Sequence, residues 1–179
     1  MKKLFIISGK AQNGKDATSD ILMSKLQGKS IKVALAGDLK TICKNYLGWD
    51  GKKSEEGRQL LQEIGTNKIR NEMHWDTFHA ERVYQTVKII QDYYDYIFVA
   101  DLRFRNELHY LSAMFPNDVI SIRVNRLGFK SPLTESQLLH ESECDLDNYM
   151  NYFDYFIESE SGLDNLEKQI DKTFKGLLY

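Results

Sequence analysis

Residues 9–15 read Gly-Lys-Ala-Gln-Asn-Gly-Lys: two glycines separated by four residues, with a lysine directly after the second. The spacing G-x-x-x-x-G-K suits a phosphate. Glycines let successive backbone N–H groups turn toward one anion, a following helix N-terminus adds positive potential, and Lys15 can reach the outer phosphates. Gly9, Asn13, Gly14, Lys15, Asp16 and Ala17 are therefore the expected phosphate-contacting residues. From this composition the pattern arises by chance about 0.06 times per chain, so its context decides its weight. Asp16 stands where the motif usually carries a Ser or Thr that ligates Mg²⁺. A carboxylate can hold Mg²⁺ directly or through water. A first-turn acid is also favoured by the helix dipole alone, and the residue type leaves both roles open.

Such a loop needs a strand to bring it and a helix to receive it. Leu4-Phe5-Ile6-Ile7 is a short apolar run bounded by Ser8-Gly9, which suits a strand buried on both faces. From Lys15, residues Ala17, Ile21, Leu22 and Leu26 recur at helical spacing as far as Gly28. Lys32 to Ala36 reads as a second strand closed by Gly37, with Asp38 capping a helix through Tyr46. Residues 54–94 read as mostly helical, two helices meeting near Asn71 to Trp75. Further strands are expected at Tyr96–Ala100, ending on Asp101, at Val119–Val124 and at Tyr155–Ile157. Helices are expected from Arg105 to Phe115 and over Leu163, Leu166, Ile170, Phe174 and Leu177. Asn125 to Asn151 is polar with weak periodicity. The alternation implies an α/β fold: one domain, with a parallel sheet covered by helices on both faces.

Composition narrows the function classes. The chain has 179 residues and a net charge of −2, which disfavours a charge-driven nucleic-acid binder. Two cysteines, Cys43 and Cys144, make neither a disulfide framework nor a multi-Cys zinc site. The four histidines show no metal-ligand spacing. The N-terminal apolar run is too short for a signal-peptide core, and no run approaches the ~20 residues of a membrane span. A cytoplasmic protein is the expectation.

An ordered set of segments resembles the phage-type deoxynucleoside monophosphate kinases, P-loop enzymes of the nucleoside monophosphate (NMP) kinase superfamily. Beyond Gly9–Asp16, residues 36–40 (Ala-Gly-Asp-Leu-Lys) resemble the family's second-strand ending, with Asp38 in place of its proline. Arg58 to Thr66 resembles Arg-x-Leu-x-Gln-x-x-Gly-Thr, with Trp75 following. Asp101 to Glu107 resembles Asp-x-Arg-x-x-x-Glu, and Arg126-Leu127-Gly128 the arginine that begins a lid. The resemblance implies a P-loop three-layer αβα sandwich with a five-stranded parallel sheet over residues 1–179. It places a helical NMP-binding insertion at about 38–94 and a lid at about 126–148.

It further implies ATP and Mg²⁺ as cofactors and a deoxynucleoside monophosphate (dNMP) as the substrate converted to its diphosphate. Lys15, Arg103 and Arg126 would then be catalytic, with Arg126 also contacting ATP. Lys40, Arg58, Gly65, Trp75, Asp101, Arg103 and Glu107 would bind substrate, and Asp16 and Asp101 would hold the metal. Arg70, on the same insertion but without a matched family position, is also expected to bind substrate. Plain alternatives stand beside these roles: core packing for Trp75, solvation for Lys40, and structural ion pairs for Asp101–Arg103 or Arg105–Glu107. His140-Glu141-Ser142-Glu143 resembles a His-x-Ser-Glu element of phage members, with no role that the sequence yields. Neither a membrane nor nucleic acid is expected as a partner, the location would be the host cytoplasm if phage-encoded, and a homodimer is left open. Two competing readings are a P-loop kinase acting on a modified base in DNA and a non-catalytic nucleotide-binding switch.

Overall fold

The computed structural model describes residues 1–52 and 54–178. Five strands form one sheet: β1 (Lys3–Ser8), β2 (Ser30–Val33), β3 (Tyr96–Leu102), β4 (Val119–Arg126) and β5 (Tyr155–Ser159). Their order is β2-β3-β1-β4-β5, and every pairing is parallel. The central strand is β1, and the chain leaves it to neighbours on both sides, which opens a crevice at the strands' carboxyl ends.

Alternation along β1 divides the core into two layers. Leu4 and Ile6 pack on one face with Val83 and Val87 of α4 (Phe78–Ile90) and Leu108 and Leu111 of α5 (Arg105–Met114). Phe5 and Ile7 face the other way, toward Leu22 of α1 (Lys15–Lys25) and Leu166 and Ile170 of α8 (Leu163–Thr173). Leu4 through Ile7 are wholly buried, which explains why this strand reads as a continuous apolar run. The result is the three-layer sandwich that the sequence implied.

A third, smaller core lies under the expected helical insertion. Leu39 and Cys43 of α2 (Gly37–Tyr46) meet Ile69, with Leu60, Leu61 and Phe78 against them. Here α3 (Glu55–Gln62) runs directly into a π-helical turn segment, Glu63–Glu72, before the chain breaks near His74 and enters α4. Ser54 caps α3 by accepting the N–H of Gly57 at 3.2 Å.

Two local expectations are corrected. The second strand lies at Ser30–Val33, not Lys32–Ala36, because the N–H groups of Leu35 and Ala36 donate to the Asp101 carboxylate at 2.8 and 3.1 Å and leave the ladder. Asp38 does not cap α2; Ala36 occupies that position, and Asp38 pairs with Arg82 of α4. Between β4 and β5, the weakly periodic stretch forms the short helices α6 (Glu135–Leu138) and α7 (Glu141–Cys144). After α8, α9 (Lys175–Leu178) ends the described chain. No helix among the described residues is long and apolar enough to cross a membrane.

Candidate active site

The phosphate loop is built by close approach and by unusual backbone angles. A side chain at Gly9 would place its Cβ 2.6 Å from the carbonyl oxygen of Val124 on β4, so only glycine lets the loop lie that close to the sheet. Gln12 (φ 60°) and Gly14 (φ 93°) are left-handed, and Gly14 caps α1 without a side chain. Alternating hand in this way turns N–H groups inward as a nest for an anion. Asn13 anchors the loop: its Oδ1 accepts the backbone N–H of Arg126 at 2.8 Å. Ala17 packs onto the core layer beneath α1.

Lys15 is buried, its ammonium donating to the carbonyls of Gly9 at 2.6 Å and Lys10 at 2.8 Å. Burial, then the nearby Arg103 charge, pull its pKa down to about 7, against Glu143 and Asp16, which favour the charged form.

Two cavities meet in front of this loop. One, of about 360 Å³, is lined by Ala11, Gln12, Lys15 and Asp16 together with the end of β2. The other, of about 260 Å³, is lined by Leu35, Leu39, Leu61, Gly65, His79 and Phe104, among others. Lys40, Arg58, Asp101 and Arg103 line both. Three of the expected cations therefore sit at one junction between the phosphate loop and a second chamber. Gly65 is there for space, since a Cβ would come within 2.8 Å of Leu39 Cδ2.

Arg70 and Glu107 also border the second cavity, but the structure gives them to each other. Their side chains are 5% and 4% exposed and pair at 2.5 Å, while the Arg70 guanidinium lies 3.8 Å over the Phe104 ring. The other Glu107 oxygen accepts the N–H groups of Arg103 and Phe104 at 3.0 and 3.1 Å. Glu107 thus shapes the turn that carries Arg103, which is a positioning task; burial pushes its pKa up, although Arg70 and those N–H groups oppose the shift. His79 is buried beside them, its pKa lowered to about 4 by burial first and by Arg70 second, so a neutral imidazole borders the cavity. Its Nδ1 makes no hydrogen bond within the described chain.

Three of the expected site residues are engaged by other groups of the chain in this structure. Trp75 lines neither cavity: its indole N–H donates to Glu81 at 3.1 Å and its ring meets Phe78 edge-on. Arg126 touches the loop only through its backbone, and its guanidinium lies over Phe129, with Nε donating to Ser161. Asp101 accepts the Leu35 and Ala36 N–H groups, one on each carboxylate oxygen, and so holds the loop after β2 while lining both cavities. No group of three or more His, Cys, Asp or Glu side chains suited to a metal occurs among the described residues. Mg²⁺ in phosphate sites commonly takes one or two carboxylates, with substrate phosphates and water supplying the rest. Asp16, beside Lys15, fits that pattern, and Asp101 lines the same cavity.

Sequence reasoning missed the acids that face this site. Glu143 accepts the N–H of Ala11 and pairs with Arg103, and Asp147 pairs with Lys10 at 2.7 Å. It also missed Arg123, buried in β4 and donating to Ser8 Oγ at 2.8 Å, whose charge no apolar pattern on a central strand would announce. The one available signal was the His140–Glu143 element, whose acid is the group in contact.

Comparisons with solved structures agree on the architecture. Shikimate kinase from Bacteroides thetaiotaomicron superposes with a TM-score of 0.55, covering 99% of both chains at 9% identity. Dephospho-CoA kinase from Campylobacter jejuni gives 0.53, over 96% of this chain and 95% of that one, at 16% identity. The fold is that of the P-loop kinases. In sequence, the chain is 26% identical over 177 residues to a Drosophila melanogaster protein named phosphomevalonate kinase, with 92% of each chain covered. No protein-family model matches. Within the P-loop kinase fold the phosphate loop follows β1, and the second chamber is walled by α2, α3, the π-helical segment and the α6–α7 stretch.

Proposed function

We propose that this protein transfers the γ-phosphoryl group of ATP, with Mg²⁺, to the phosphate of a deoxynucleoside monophosphate. The observation that carries the reading is the junction: Lys40, Arg58 and Arg103 border both the phosphate-loop cavity and the second chamber. A polyphosphate in one and a phosphate monoester in the other would face the same three cations. Phosphoryl transfer asks for that arrangement, since its catalysis is mostly positioning and charge stabilisation. Guanidinium forks grip phosphate at two points, and Lys15 adds charge from the donor side.

The remainder of the second chamber favours a flat, uncharged group. Leu35, Leu39, Leu61 and Leu133 supply apolar wall, His79 is neutral, and the Arg70 charge is answered by Glu107. A nucleobase has that character. A second reading, phosphorylation of phosphomevalonate, is favoured by the similarity to the Drosophila protein along nearly the whole chain. That acceptor is also a phosphate monoester, but it carries a carboxylate where a nucleotide carries a base.

A coupled ADP-release assay across dAMP, dGMP, dCMP, dTMP, hydroxymethylated dNMPs, phosphomevalonate and modified DNA distinguishes these readings. Turnover with one or more dNMPs, abolished in Lys15→Ala, is the expected result. ADP formed only with phosphomevalonate transfers the assignment to the second reading; ADP formed with modified DNA alone refutes both.

A further inference from the structure

Glu143 lies on the phosphate loop as a ligand would. Its Oε2 accepts the Ala11 N–H at 3.0 Å, its Oε1 meets Arg103 Nη1 at 2.5 Å, and its side chain is 7% exposed. Loop N–H groups are the donors that a nucleotide phosphate takes. Lys15, meanwhile, spends its protons on the loop's own carbonyls. The contact is not isolated. Asp147 takes Lys10 at 2.7 Å and Arg123 at 3.5 Å, and Asp145 accepts both the backbone N–H and the guanidinium of Arg105. Three acids at alternate positions of one segment thus meet the cations that ring the nucleotide-facing end of the sheet. The His140–Glu143 element explains how: His140 Nδ1 accepts the Ser142 N–H at 3.2 Å and caps the short turn that presents Glu143.

We propose that this is a self-occluded resting state, in which the Glu143 carboxylate holds a phosphate position until a polyphosphate displaces it. The inference rests on the reading that the loop binds a nucleotide. A carboxylate and a phosphate cannot share the Ala11 N–H, since like charges at that separation repel strongly in a buried site. Exchange of one anion for the other keeps Arg103 paired throughout, which avoids the large cost of a stranded, partly buried charge. Displacement frees Arg103 to turn to the phosphates and loosens residues 127–154, whose α7 is held to the loop by this contact. Glu143 acts through Arg103 and the loop, so it is a positioning residue.

Calorimetric titration of wild type and Glu143→Ala with ADP, inorganic tripolyphosphate and adenosine tests the proposal. If the occluded form holds about nine-tenths of the molecules, its removal raises apparent affinity about tenfold. The gain is expected for ADP and tripolyphosphate alike, and none for adenosine, which carries no phosphate. Unchanged or weaker binding of the two phosphate ligands, or an equal change for adenosine, overturns it. A second measurement needs no variant: amide exchange across residues 127–154 of the wild type is expected to quicken on tripolyphosphate binding, and slowing or no change overturns the proposal. Wild type that binds neither ADP nor tripolyphosphate refutes the nucleotide reading itself, an outcome distinct from binding that Glu143→Ala leaves untouched.

Discussion

Replacing Arg70 by methionine tests whether the Arg70–Glu107 pair holds the second chamber together. Methionine keeps the bulk that lies on Phe104 but leaves Glu107 buried without its counter-charge. Removing one partner of a buried pair costs about 3–5 kcal/mol, whereas an exposed pair costs under ~1. With side chains 5% and 4% exposed, this pair belongs to the first class. For a chain of this size 1 kcal/mol moves the melting point by roughly 2–4 °C, so a fall of about 6–20 °C is expected. The loss also depends on pH. Glu107 already titrates above its ordinary value, because burial outweighs Arg70 and the two N–H groups. A carboxyl with a raised folded pKa binds more protons folded than unfolded, so its contribution falls as pH rises from the ordinary value to the raised one. Without Arg70 that window extends further upward, and the deficit against wild type is expected to be larger at pH 8 than at pH 5. Urea unfolding followed by circular dichroism at both pH values measures it. Adding Glu107→Gln should recover stability at pH 8, since an amide still accepts the Arg103 and Phe104 N–H groups but needs no counter-charge. A loss below about 1 kcal/mol, or one equal at both pH values, would refute the reasoning.

Two further outcomes are expected. Lys15 has a pKa of about 7 without ligand, and adjacent phosphates must raise it, so ADP binding at pH 7 should take up about half a proton and tighten as pH falls from 9 to 6. Calorimetry in buffers of different ionisation heat reads the uptake; a zero value that Lys15→Ala leaves unaltered would end the argument. Asp16→Asn should lower Mg²⁺-dependent turnover by at least tenfold while metal-free ADP binding holds or improves, because one negative charge beside the phosphates is gone. Equal effects on both would retire Asp16 as a metal ligand.

The sequence disclosed what is local. Strand, loop and helix from Lys3 to Lys25 follow from an apolar run, two glycines and a helical period, all within a few residues of one another. The junction cations Lys40, Arg58 and Arg103 were legible through ordered short segments. What escaped was decided across long separations. The end of β2 depends on Asp101, which takes the N–H of Ala36 from 65 residues further on. Arg70 reads as a free cation until Glu107, 37 residues away, is seen to take it. Lys10 and Asp147 are 137 residues apart, and no spacing rule links them. Trp75 stands apart from both cavities for the opposite reason: a nearby partner, Glu81, accepts its indole N–H.

The π-helical segment has a consequence for how the second chamber could change over evolution. In an α-helix, residues four apart drift by ~40° around the axis at 3.6 residues per turn. The wider i→i+5 winding changes that drift, and Gln62 at the end of α3 lines the same cavity as Thr66 and Arg70 of the segment. Deleting one residue from the outer side would let the segment rewind to α and rotate a different set of side chains inward. A single-codon event could thereby swap the chamber's recognition surface while the phosphate loop, built on a separate strand, stayed intact.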